Sequence, residues 1–98
     1  MGYSFFMIKS FVHKGLEDYF YEGKKKGIQP KHDKKLAAIL DRLDAANEIR
    51  DINYPGSYLH LLEPRANNRW AVKVPGNWRI TFRFLEDVAY EINYEDYH

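Results

Sequence analysis

The sequence predicts an α+β domain in which two N-terminal helices pack on one face of an antiparallel β-sheet. Three observations lead there. In the first half of the chain apolar residues recur at helical spacing, at Leu16, Tyr19 and Phe20 and again at Leu36, Ile39, Leu40 and Leu43. In the second half they alternate in "RWAVKV" and "NWRITFRF", the period of a half-buried strand. Turn residues separate these segments, with "PGN" and "LED" placed to join consecutive strands. The 98 residues, 45% hydrophobic and 16% aromatic, suffice for one core and are too apolar for a disordered chain. One domain over residues 1–98 is expected. Met7 would itself serve as a start, so residues 1–6 read as an N-terminal extension.

Taken in order, "MIKSFV" (residues 7–12) carries the Ile, Phe and Val of a short strand. From His13 to Tyr21 the period becomes helical, and Gly23 stands where a C-terminal cap belongs. Pro30 suits the start of a second helix, which runs to about Ala46. Pro55 and Gly56 mark a turn, and "SYLHLLE" follows as a strand. Trp70, Val72 and Val74 then alternate with Ala71 and Lys73. Ile80, Phe82 and Phe84 alternate with Arg79, Thr81 and Arg83. In "VAYEINY" the same rule groups Val88, Tyr90, Ile92 and Tyr94 against Ala89, Glu91 and Asn93. Residues 57–94 therefore form a meander. If Ile80, Phe82 and Phe84 meet the helices, Arg79 and Arg83 project together from the opposite, open face.

Composition narrows the chemistry. With no cysteine there is no disulfide, thiolate nucleophile or zinc–sulfur site. His13, His32, His60 and His98 show no metal-binding spacing, and no Gly-rich phosphate loop or GxSxG occurs, so neither metal nor cofactor is expected. No stretch approaches a membrane span or a signal peptide, which points to the cytoplasm. The net charge of +1 hides an uneven distribution. Residues 57–84 hold Arg65, Arg69, Lys73, Arg79 and Arg83 against Glu63, whereas residues 85–98 hold Glu86, Asp87, Glu91, Glu95 and Asp96 without lysine or arginine.

Acid–base chemistry remains. Cleaving RNA without a metal needs a base for the 2′-OH, an acid for the leaving 5′-oxygen, cations for the phosphorane and a surface for the bases. His60, Arg79, Asp96, Tyr97 and His98 supply these parts if the fold gathers them. An unperturbed carboxylate is a weak base at neutral pH, so Asp96 serves better by orienting His98.

"MIKSF" near the start, "NWRITFRF" in the middle and "NYEDYH" at the end together resemble the HigB-type toxins of bacterial toxin–antitoxin modules, within the RelE/ParE superfamily. The resemblance runs from Met7 to His98. It implies a RelE/ParE-like fold with a twisted sheet, and a ribosome-dependent mRNA endonuclease that cuts codons in the A site. It also implies a HigA-like helix-turn-helix antitoxin, through which alone the toxin would meet operator DNA. The active-site histidine of the family falls on His60, its phosphate-contacting arginine on Arg79, and its terminal catalytic group on Asp96, Tyr97 and His98. Members often carry a lysine shortly after the histidine; Glu63 stands there instead, leaving Arg65 or Lys73, with Arg83, to supply the cations. Other relatives on this scaffold inhibit DNA gyrase, and a gyrase inhibitor or an inactive antitoxin-binding relative are the alternative readings.

Overall fold

Helix α1 (Lys14–Glu22) begins where His13 Nδ1 accepts the N–H of Leu16 at 3.0 Å. It ends where Gly23 turns into the left-handed region at φ 72° and directs its N–H back to the last turn. The second helix enters through a 3₁₀ turn, Pro30–His32, and continues as α2 (Asp33–Ala45). Both helices lie where their apolar spacing predicts. Among the described residues four strands follow, β1 (His60–Leu61), β2 (Arg69–Val74), β3 (Trp78–Leu85) and β4 (Val88–Asp96), paired antiparallel in chain order. This computed structural model describes residues 6–62 and 68–97.

One core joins the two layers. Leu36, Ile39, Leu40 and Leu43, the buried stripe of α2, lie in one cluster with Val72, Val74, Ile80, Phe82, Ile92 and Leu16. Phe82 and Ile80 have no exposed surface, and burying a side chain of this size stabilises the fold by about 1.5–3 kcal/mol. The helices thus cover one face of the sheet and leave the other for chemistry.

The structure corrects the strand reading in three places. Residues 7–12 make a single parallel bridge, Phe11 to Ile92, rather than a strand. They run along the edge of β4 through Lys9 N–H to Ala89 O, Ile92 N–H to Ser10 O and Val12 N–H to Ile92 O. The ladder is interrupted because the N–H of Glu91 bonds to the hydroxyl of Ser10 instead of a backbone carbonyl. The strand expected over "SYLHLLE" shrinks to two residues, since Tyr58, the second residue of that stretch, has φ 50° and leaves the extended region.

The third correction matters most for function. The pairing of β3 with β4 slips by one residue between Thr81 and Arg83: Phe84 faces Ala89 and Arg83 faces Tyr90, but Thr81 faces Asn93 and Arg79 faces Glu95. Glu91, at φ 51°, is the extra residue of this bulge. Alternation therefore reverses across it. Ala89 is fully buried in the core where Tyr90 was expected, whereas Ile92 and Tyr94 beyond the bulge point inward as expected.

Candidate active site

Register lays out the outer face of the sheet as a grid, because directly paired residues share a face. One row across the strands runs Lys73, Arg79, Glu95. The next runs His60, Ala71, Thr81, Asn93, and a third holds Arg69, Arg83 and Tyr90. His60 and Arg79 are two strand spacings and one row apart, roughly 12 Å between their backbones, enough to admit a nucleotide between them. Both border a cleft of about 560 Å³ whose other walls include Tyr58, Lys73, Asn77 and Tyr97.

Arg79 is the most constrained cation of the cleft. Its Nε and Nη2 donate to one oxygen, Glu95 Oε2, at 2.8 and 2.7 Å, while Glu95 Oε1 accepts from Asn93 Nδ2 at 3.2 Å. The guanidinium also lies over the ring of Tyr97, 4.4 Å from its centroid. Tyr97 is fixed from its other side by its backbone N–H, which donates to Asn77 O at 2.7 Å. The chain end is thereby tied to the β2–β3 turn.

That turn rests on a buried histidine. His32 Nε2 donates to Pro75 O at 3.1 Å, and its Nδ1 accepts from the hydroxyl of Tyr94 at 2.7 Å. The carbonyl can only accept, which fixes the neutral tautomer with the proton on Nε2. Burial holds this imidazole below its ordinary pKa. Trp78 stacks on Tyr94 at 4.5 Å between centroids, closing the layer beneath the cleft.

At the opposite wall, His60 is exposed, and its Nδ1 donates to the carbonyl of Tyr58 at 2.9 Å. The same logic leaves Nε2 as the nitrogen available for proton transfer. Lys73 extends over the Tyr58 ring, 5.0 Å from its centroid.

The arginines are not bare, as an open basic face would have them. Arg79 and Arg83 stand four residues apart along β3 with buried Thr81 between them. Arg83 lies 3.4 Å from Glu91 Oε2. Arg69 Nη2 donates to Thr81 Oγ1 at 3.0 Å and to Glu91 O at 2.8 Å, closing over the centre of the sheet. Burial draws the Arg69 guanidinium below its ordinary pKa, and it stays charged near neutrality. The acidic last strand is thus folded directly onto the basic one, and Arg79, Arg69 and Arg83 are met by Glu95 and Glu91.

Of the residues expected at the site, His60, Arg79, Tyr97 and Lys73 share the cleft. Asp96 is paired with Trp78 and so belongs to the helix-side face. Arg83 sits two rows away from Arg79, beside Glu91. Arg65, His98 and Glu63 lie outside the described residues. Glu95, Tyr58 and Asn77 enter the site without having been singled out. Only the bulge puts Glu95 opposite Arg79, and no residue pattern announces a bulge formed by a glutamate. Among the described residues no group of three or more His, Cys, Asp or Glu side chains could hold a metal ion.

Residues 9–98 match the family of HigB-like toxins, described as the RelE-like toxin of type II toxin–antitoxin system HigB. The chain is also 41% identical over 92 residues to Endoribonuclease HigB of Proteus vulgaris, an alignment that covers 94% of this chain and 100% of that protein.

Proposed function

The chain belongs to the HigB-like family of RelE-like toxins of type II toxin–antitoxin systems, and from that premise we propose that it is an endoribonuclease that cuts mRNA in the ribosomal A site. The observation that carries the reading is the single cleft onto which His60, Lys73, Arg79 and Tyr97 converge from three strands and the chain end. A cation, a proton-transfer group and an aromatic face are the parts that metal-independent cleavage of an RNA backbone requires.

In the proposed reaction the scissile phosphate docks on Arg79, taking donors that Glu95 holds in the free protein. His98, the residue after Tyr97 and oriented by Asp96, removes the proton from the 2′-OH. The 2′-oxygen attacks phosphorus, and the bond to the 5′-oxygen breaks. Arg79 stabilises the pentavalent phosphorane with its planar fork. His60, as an imidazolium whose Nδ1–H keeps its bond to Tyr58 O, delivers a proton from Nε2 to the leaving 5′-oxygen, with Tyr97 beside it on the guanidinium. The products are a 2′,3′-cyclic phosphate and a 5′-OH. Asp96, on the Trp78 side of the sheet, acts through His98 and not by touching RNA. Arg65, Lys73 and Arg83 contribute charge along the backbone of the bound strand.

Membership of the family also gives the protein an antitoxin partner. A HigA-like helix-turn-helix protein is the partner we assign, and it alone connects the toxin to operator DNA. No helix among the described residues is long and apolar enough to cross a membrane. The cytoplasm is the location we assign, because the proposed substrate is mRNA on ribosomes. Induced expression tests the reading: growth arrest with fragmented mRNA and undamaged DNA is expected. DNA breaks with intact mRNA would replace the nuclease by a gyrase poison.

A further inference from the structure

Tyr58 is the most exposed of the large hydrophobic residues described, at 70% of its surface, yet its backbone is held in the left-handed region at φ 50°. For an aromatic residue this conformation is costly, and it persists only where its surroundings enforce it. What the strain achieves is visible: the turned carbonyl meets His60 Nδ1 at 2.9 Å, while the ring is left at the mouth of the cleft. The ring has an ammonium, Lys73 Nζ, 5.0 Å from its centroid. It borders both the main cleft and a smaller neighbouring one of about 230 Å³ that continues toward Lys35.

We propose that Tyr58 is a stacking platform for one base of the bound RNA, next to the scissile phosphate on Arg79, with Lys73 holding the adjoining phosphate. The inference rests on the nuclease reading and adds to it a base-binding subsite. An exposed aromatic ring beside a cation is the arrangement by which single-stranded nucleic acid is held, since every base offers a π-face and every linkage a charge. The fold depends on neither wall of this subsite, as the Tyr58 and Lys73 side chains both stand outside the core. The Tyr58 carbonyl, which orients His60, belongs to the backbone and survives replacement of the ring.

The test uses purified ribosomes carrying a short mRNA in the A site and compares the parent chain with Tyr58→Phe and Tyr58→Ala. The Phe variant keeps parental kinetics. The Ala variant raises the half-saturating substrate concentration about tenfold while turnover at saturation stays near parental, because a stacked base binds without taking part in proton transfer. Single abasic sites walked along the mRNA then locate the base: at one position alone, parent and Ala variant become equal. An Ala variant with parental kinetics overturns the subsite, as does a penalty of the same size at every abasic position, which would mean contact with the ribosome. Failure of the parent chain to cleave at all overturns the nuclease reading and this inference together.

Discussion

Replacing Glu95 by glutamine should tighten RNA binding. In the free protein two donors of Arg79 converge on one Glu95 oxygen at 2.7 and 2.8 Å, and the two side chains are only 22% and 34% exposed. A phosphate reaching Arg79 must displace that carboxylate. A partly exposed pair of good geometry contributes about 1 kcal/mol after solvent screening, which corresponds to roughly fivefold in affinity. Glutamine keeps the shape and an accepting oxygen but removes the competing charge. Glu95→Gln is therefore expected to bind RNA about fivefold more tightly, and to lose about 1 kcal/mol of stability through the missing pair. Fluorescence polarisation with a labelled 2′-O-methyl RNA, which cannot be cleaved, reads the first effect. A thermal melt reads the second. The gain should shrink as salt screens the carboxylate in the parent. If the variant folds and binds RNA no better than the parent, Arg79 keeps Glu95 in the complex and the phosphate is held elsewhere.

Other consequences are open to simpler measurement. His60→Gln removes the proton donor assigned to the leaving oxygen and should slow cleavage by about 10²–10⁴-fold with little change in melting temperature, since His60 is exposed. Burial depresses the pKa of His32 and of His13 below 6.5, so the unfolded chain takes up protons there before the folded one does. Stability should be full above about pH 6.5 and decline as the pH falls below it, and denaturant titrations at pH 7.5 and 5.5 should differ in that direction. A Cβ on Gly27 would lie 2.5 Å from the Gly15 Cα, so Gly27→Ala should cost about 1–3 kcal/mol in a urea melt; an unchanged midpoint would show that the loop before α2 can move aside.

Much of the architecture could be read from residue spacing because single residues carried the decision. Gly23 marked the end of α1, the Leu36–Leu43 stripe marked α2, and the "PGN" turn fixed the register of β2 on β3. Arg79 could be placed on the outer face for the same reason. The position of Glu95 could not. Turn and alternation alone extend the β3–β4 register from Phe84 and Ala89 without a slip, which would set Tyr94 opposite Arg79. The bulge at Glu91 shifts the pairing by one, and it is built from a non-glycine residue whose left-handed φ has no compositional signal. A slip of one residue exchanges the two faces of a strand, so this single position decides that Glu95 and not Tyr94 meets Arg79. Tyr58 is illegible for a similar reason: as the second residue of an expected strand it carries no special signal, and only its strained backbone and exposure set it apart.

The central claim is that the cleft around Arg79 cuts RNA. Mapping mRNA 5′ ends after induced expression, with the parent chain beside Arg79→Ala, tests it most directly. The account predicts new 5′-hydroxyl ends inside the codons of translated messages with the parent, falling by about 10²–10³-fold with the variant, because that guanidinium stabilises the phosphorane. The same ends at the same frequency from an Arg79→Ala protein, or no new ends from the parent, would contradict it.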